Sequence, residues 1–244
     1  MNTNSSWLAQ KITELGFTIT RITTLSDDFN DLKQGFVEAL NRNPSIIIST
    51  GGLGPTWDDR TAEGLALALD KPLKVDSRAH EMIVNRYQLL RASLNPASEK
   101  MANLPEGSVP LPNSVGTAPG IRYNTDKTLI YCLPGVPKEM KAIFLEDIII
   151  ELQKMNPEIH YYQTEFDILG IGESRTASIS SSFTERYPKI YIKSHPSQEL
   201  TSDGMKSRIT FHLTTFGSSD NEELLIKVKE ELKTELVKIG AKLI

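Results

Sequence analysis

The chain has 244 residues, 39% hydrophobic and 24% charged, with 27 basic side chains against 31 acidic ones and a net charge of −4. That length suits one large or two ordinary domains of a globular protein, and no apolar run approaches the ~20 residues of a membrane helix. Basic and acidic residues stand at 16 to 18 through residue 157 and at 11 to 13 after it, so neither half carries the basic excess of a nucleic-acid binder.

The opening Met1-Asn2-Thr3-Asn4-Ser5-Ser6 has no basic segment followed by an apolar core, so no secretory leader is expected and the cytoplasm is the default. Elements then alternate. A helix is expected over 5–15, a strand over 17–22, and a helix whose Phe29, Leu32, Phe36, Val37 and Leu40 share one face. The β-branched triplet Ile46-Ile47-Ile48 reads as a fully buried strand.

That strand runs into Ser49-Thr50-Gly51-Gly52-Leu53-Gly54-Pro55-Thr56-Trp57-Asp58-Asp59-Arg60-Thr61. Glycines at the C-terminal end of a strand let backbone N–H groups approach an anion, and the following helix adds its positive end. Asp58 and Asp59 would repel a phosphate unless a divalent cation lay between, so the loop reads as a phosphate site with a metal handle formed by these two carboxylates, suited to magnesium, manganese or cobalt. The competing reading is a tight turn in which Asp58, Asp59 or Thr61 only caps the helix. No Lys-Ser or Lys-Thr follows the glycines, and the pattern is not Gly-x-Gly-x-x-Gly.

Further helices are expected from about Thr61 to Leu69 and from the N-cap Asp76, the second with Met82, Ile83, Tyr87 and Leu90 as its apolar stripe. The proline-rich stretch 95–119 reads as an irregular loop with one short helix after Asn95. Strands are expected over 120–123 and 128–133, the latter leading through Leu133-Pro134-Gly135-Val136-Pro137 into a helix to about Met155. This second strand-Gly-helix junction opens on the same sheet edge as the first if the two strands are parallel. Cys132 reads as a small buried hydrophobe, and His80, His160, His195 and His212 lack zinc-site spacing. Beyond Pro157 the order becomes strand (159–169), helix (173–183), strand (189–193), a polar hairpin loop (197–204), strand (205–216) and helix (221–239), a small α+β domain.

The Thr50–Thr56 loop with Asp58-Asp59 and Thr61, together with Asn113, Gly116-Thr117-Ala118-Pro119-Gly120 and Leu133-Pro134-Gly135-Val136-Pro137-Lys138-Glu139-Met140, resembles the competence-damage-inducible protein A (CinA) family. The resemblance implies a MoaB/MogA-like, molybdopterin-binding-type domain over 1–157, a three-layer α/β/α sandwich, and a KH-type α+β domain over 158–244. It implies metal-dependent hydrolysis of ADP-ribose or a similar dinucleotide such as FAD. The alternatives are a molybdopterin-binding or adenylyl-transferring protein and a non-enzymatic nucleotide-binding module. Asp59 matches the family's key aspartate and Asp27 a second, both implied to be catalytic. The glycine loop contributes Thr50, Gly51, Gly52, Gly54, Thr56 and Thr61 to ligand binding. Asn4 and Ser5, then Asn113, Gly116, Ala118, Pro119 and Gly120, and finally Pro134, Gly135 and Glu139 complete the implied binding set.

The implied partner is a nucleotide or pterin phosphate, with neither nucleic acid nor membrane, in a homo-oligomer, dimer before trimer. The KH-type segment lacks a Gly-x-x-Gly clamp, which favours a packing or dimerisation role. The family pattern also includes a strand ending in a Gly-Asn-Glu-Leu-Leu-type motif before the segment matched by Asn2-Thr3-Asn4-Ser5, and a C-terminal nicotinamide-mononucleotide deamidase domain. The sequence matches neither, so deamidase activity is not implied, and a sheet short of one inner strand and one site glutamate is expected.

Overall fold

The computed structural model describes residues 2–157, 160–201 and 204–244. Two compact units emerge: one comprises Thr20–Lys154 with the start of the chain through Ala9, the other Gln10–Ile19 with Met155–Ile244.

Helix α1 (Thr3–Glu14) belongs to the first unit through Ala9, and the first unit continues with α2 (Phe29–Asn41), β1 (Ile46–Thr50), α3 (Thr61–Ala68), β2 (Leu73–Val75) and α4 (Ser77–Leu89). Then come α5 (Pro96–Glu99), a 3-10 turn (Lys100–Ala102), β3 (Asn103–Pro105), β4 (Val109–Leu111), β5 (Gly120–Asn124) and β6 (Leu129–Leu133). Helix α6 (Pro137–Ile143) continues through a π-helical turn (Phe144–Ile148) into α7 (Ile149–Met155). The N-caps follow the sequence signals. Asp28 accepts from the amides of Asn30 and Asp31, Asp76 from those of Arg78 and Ala79, and Asn95 from that of Ser98.

The main sheet has the order β1-β6-β5-β4, with β6 parallel to β1 and antiparallel to β5. Strand β6 is buried along its whole length, because helices cover both of its faces. Ile130 and Cys132 pack with Phe36, Leu65, Ile83 and Ile121. The alternate residues Tyr131 and Leu133 are likewise fully buried, as are Met140, Ile143 and Phe144 of the helix that follows. Each such aliphatic or aromatic side chain contributes about 1.5–3 kcal/mol through its removal from water. The arrangement is a three-layer α/β/α sandwich. Cys132 is a buried free thiol whose pKa burial pushes up to about 12, so it is held in its neutral form.

Two strand expectations are corrected. Residues 17–22 form no strand, because a strand needs a hydrogen-bonding neighbour and β1, at the end of the sheet, pairs only with β6. For the same reason β1 is partly exposed throughout rather than fully buried. The 95–119 stretch is also more regular than expected. It contributes β3, paired antiparallel with β2, and β4, paired with β5. Leu90 leaves the α4 stripe, since it follows the helix as its C-cap and stays exposed.

The second unit contains β7 (His160–Leu169), α8 (Glu173–Arg186), β8 (Tyr191–Thr201), β9 (Gly204–Gly217), α9 (Ser219–Lys238) and β10 (Lys242–Leu243). Its antiparallel sheet, ordered β10-β7-β9-β8, buries Phe166, Ile168, Ile209, Phe211 and Leu213 with Phe183, Val228 and Leu232 of the helices. The expected polar loop over 197–204 is instead largely strand, with β8 pairing with β9 out to Thr201 and Gly204. Residues 202 and 203 of that loop, and the expected strand start at 159, lie outside the described residues.

In the first unit, Arg122 on β5 grips Glu151 on α7 with Nη2 to Oε1 at 2.5 Å and Nε to Oε2 at 2.8 Å, while the Tyr131 hydroxyl donates to Glu151 at 2.6 Å. The Arg122 guanidinium holds the Glu151 carboxyl below its ordinary range. A depressed carboxylate stabilises the fold at neutral pH, and that contribution disappears as pH falls through its folded value. Arg122→Met is expected to lower stability by about 1–3 kcal/mol in urea titration. The difference from the parent protein should shrink as the medium is acidified through the carboxylate range.

Candidate active site

Parallel pairing of β1 and β6 puts Thr50 beside Leu133, so both strands end at the same level and both glycine turns leave from one edge. The Gly51 amide donates to the Leu133 carbonyl at 2.8 Å. A β-carbon on Gly135 would lie 3.3 Å from the Gly51 Cα, which makes the two turns immediate neighbours. Gly51 and Gly52 have φ of +101° and +66°, the left-handed region that glycine adopts without a steric penalty. Thr61 locks this turn from α3: its hydroxyl donates to the Gly51 carbonyl at 2.8 Å and its amide to the Gly52 carbonyl at 3.0 Å. Among the described residues, no hydrogen bond takes up the amides of Gly52, Leu53 and Gly54, leaving three donors before the start of α3.

The capping reading of the acidic pair fails. The N-cap of α3 is Arg60, which makes no side-chain cap bond. Asp58 and Asp59 instead converge on one hydroxyl, Thr56 Oγ1, at 2.5 Å from Asp58 Oδ1 and 2.6 Å from Asp59 Oδ2. That hydroxyl has a single proton and serves one carboxylate at a time. The Thr56 amide adds a bond to Asp59 Oδ2 at 2.9 Å. The Thr56 hydroxyl holds the Asp58 carboxyl below the usual carboxylate range, with the nearby Lys100 adding to the effect. Lys100 itself, on the 3-10 turn, donates to the carbonyls of Thr56 and Asp59 at 2.8 and 2.7 Å.

Among the described residues, no three His, Cys, Asp or Glu side chains gather as a metal site. The donor set is therefore two carboxylates on adjacent residues. That number suits a hard divalent ion that completes its shell with phosphate oxygens and water, the usual manner of magnesium, rather than an all-protein cage.

The remaining residues of the expected set fall into three groups. Asn113 Nδ2 donates to Glu139 Oε2 at 2.7 Å and to the Ala118 carbonyl at 2.8 Å, and its Oδ1 accepts from the Gly116 amide at 2.7 Å. Gly116 leaves room for this arrangement, since a β-carbon there would fall 2.1 Å from the Glu139 carboxyl and displace it. Asn4 donates to the Gly135 carbonyl at 2.8 Å, which leaves its Oδ1 buried without a partner. Pro119 lines a small cleft with Gly52, Gly54, Asp59 and Lys100.

Other positions lie further from this chemistry. Gly120 begins β5 against Leu111 and Ile143, which is a packing role, and Pro134 is buried. The Ser5 amide donates to Asn2 Oδ1 in the first turn of α1. Asp27 is exposed one residue before the α2 cap, and the link from its turn to the glycine loop runs through Arg60, whose guanidinium lies over both Phe29 and Trp57. Lys100, Arg60 and Arg86, which donates to the Val115 carbonyl at 2.6 Å, escape sequence reasoning because each acts on backbone or ring atoms distant in sequence or unmarked by motif.

Lys100→Met removes two charge-assisted bonds to the loop. It is expected to lower stability by about 1–3 kcal/mol in chemical denaturation and to speed amide exchange over residues 54–59 while leaving exchange in β6 slow.

The family model of the probable molybdopterin binding domain (MoCF_biosynth) matches residues 1–154. A protein of Sulfurisphaera tokodaii is 41% identical over 249 residues, which cover 100% of this chain and 92% of that protein. One of Sulfolobus acidocaldarius is 40% identical over 244 residues, covering 100% and 89%. Among solved structures, the protein CinA with unknown function from Thermoplasma acidophilum is 36% identical with a TM-score of 0.58, over 62% of this chain and 88% of that one. With its glycine turns, carboxylate pair and β1–β6 edge lying inside the matched region, the chain belongs to the probable molybdopterin-binding domain family.

Proposed function

We propose that the first unit binds a dinucleotide of the ADP-ribose or FAD type and hydrolyses its pyrophosphate in the manner of a CinA-type protein. The observation that carries this reading is the meeting of Asp58 and Asp59 at Thr56, on a loop with three unbonded backbone donors whose Gly51 lies against the Gly135 turn. Breaking a phosphoanhydride needs its oxygens held and their charge offset as water adds to one phosphorus and the bridging oxygen leaves with the other. The amides of Gly52, Leu53 and Gly54 and the start of α3 hold the phosphates. Asp58 and Asp59 hold a divalent ion, which supplies charge neutralisation at the pyrophosphate oxygens when bound. Asn113 and Glu139 are fixed on each other, Glu139 contributing from the first turn of the helix that follows the Gly135 junction. Asp27, exposed in the turn before α2, would be the further carboxylate that the family resemblance implies. The protein is expected to act as a homo-oligomer, with the second unit in a KH-type packing role.

The family match supports a second reading, in which the ligand is a pterin phosphate and the reaction, if any, transfers adenylate. Pterin co-purifying with the protein, or calorimetric binding of molybdopterin without ADP-ribose turnover, favours it.

Purified protein is expected to release AMP from ADP-ribose with magnesium, manganese or cobalt, and Asp59→Asn to cut the rate at least about 100-fold without lowering the melting temperature. A folded protein that hydrolyses neither ADP-ribose nor FAD with any of these metals overturns the hydrolase reading.

A further inference from the structure

Trp57 is the most exposed large apolar side chain among the described residues, at 79%. Its place is the tip of the glycine loop, between Thr56 and Asp58, two of the three residues whose side chains meet in the acidic cluster. Free indole rings commonly settle onto the protein surface and bury their area, since an aromatic of this size gains substantially by leaving water. This one is held out by Arg60. The Arg60 guanidinium lies 5.7 Å from the Trp57 ring centroid, and 5.9 Å from that of Phe29. Its Nε also donates to the Trp57 carbonyl at 3.1 Å, which fixes the cation relative to the loop. The result is a stack of Phe29, Arg60 and Trp57 that ends in an uncovered indole surface.

We infer that Trp57 is the stacking platform for the flat heteroaromatic ring of the ligand whose phosphates occupy the glycine loop. The inference rests on the proposed phosphate site and adds the ring-recognising half. A nucleotide's base lies one sugar away from its nearest phosphate, so a ring on the phosphate-binding loop, one residue from the carboxylate proposed to hold the ion, is placed to meet it. Stacking tolerates any flat ring, and adenine and pterin share this chemistry. The cation beneath the indole leaves its outer surface for the ligand and supplies a positive charge near the phosphates.

The chain's two tryptophans make the test direct. Trp7→Phe leaves Trp57 as the sole indole, because Trp7 sits apart, edge-on to Phe144 with ring centroids 5.4 Å away. In this variant, with magnesium, AMP and ADP-ribose are expected to quench the emission, while inorganic pyrophosphate binds in calorimetry and leaves it unchanged. Trp57→Ala is expected to weaken AMP and ADP-ribose about tenfold or more, keep the pyrophosphate affinity, and be rescued to within a few-fold by Trp57→Phe. Neopterin triphosphate in parallel identifies the ring: loss of its affinity in Trp57→Ala exceeding that of AMP assigns the platform to a pterin, the reverse to adenine. If pyrophosphate binds but Trp57→Ala holds AMP, ADP-ribose and neopterin triphosphate as tightly as the parent, the stacking role is refuted and the phosphate site stands. If pyrophosphate itself does not bind, the phosphate site fails and the stacking role falls with it.

Discussion

The parallel pairing of β1 with β6 is the constraint on which the site depends. Parallel strands finish at the same end of a sheet, so the turns that follow them are set side by side. Here the register places Thr50 against Leu133; the chain runs directly into Gly51 on one side and through Pro134 into Gly135 on the other, close enough that a β-carbon on Gly135 would press on the Gly51 backbone. Two loops from distant parts of the chain thereby present one surface. The burial of β6 on both faces holds that surface rigid, because shifting the register by one residue would turn Ile130 and Cys132 out of one core and Tyr131 and Leu133 out of the other.

Electrostatics divides the site into complementary parts. The backbone donors at Gly52 to Gly54 and the start of α3 favour negative charge. Asp58 and Asp59, drawn together by one threonine hydroxyl, favour positive charge at a point beside them. Lys100 bonds to the loop carbonyls of Thr56 and Asp59 and so stabilises the turn from the side of the cleft it lines with Gly52, Gly54 and Asp59. A phosphate bridged to a divalent ion would satisfy both parts at once, which is the basis of the proposed function.

Much of this was legible in the sequence. The helices announce themselves through their caps at Asp28, Asp76 and Asn95, and the two strand-Gly-helix junctions through a hydrophobic run that stops at glycine. The acidic pair was visible, but whether it capped a helix or faced a ligand depended on where Thr56 and Arg60 pointed, a matter of loop conformation rather than residue type. The 17–22 segment has the alternation of a strand and forms none, because pairing depends on a neighbour and not on the segment itself. Lys100 and Arg60 were invisible for a related reason: long cationic side chains on irregular segments reach their partners through the fold. The short strands β3 and β4 were hidden by prolines that their sheet positions tolerate.

The central claim is that the two glycine turns form one phosphate site. Amide chemical shifts recorded while inorganic pyrophosphate and magnesium are added to the protein test it most directly. The expected result is that Gly52, Leu53 and Gly54 on one turn and Gly135 and Val136 on the other shift together and saturate with one dissociation constant. Shifts confined to a single turn, or two turns saturating independently, would contradict it.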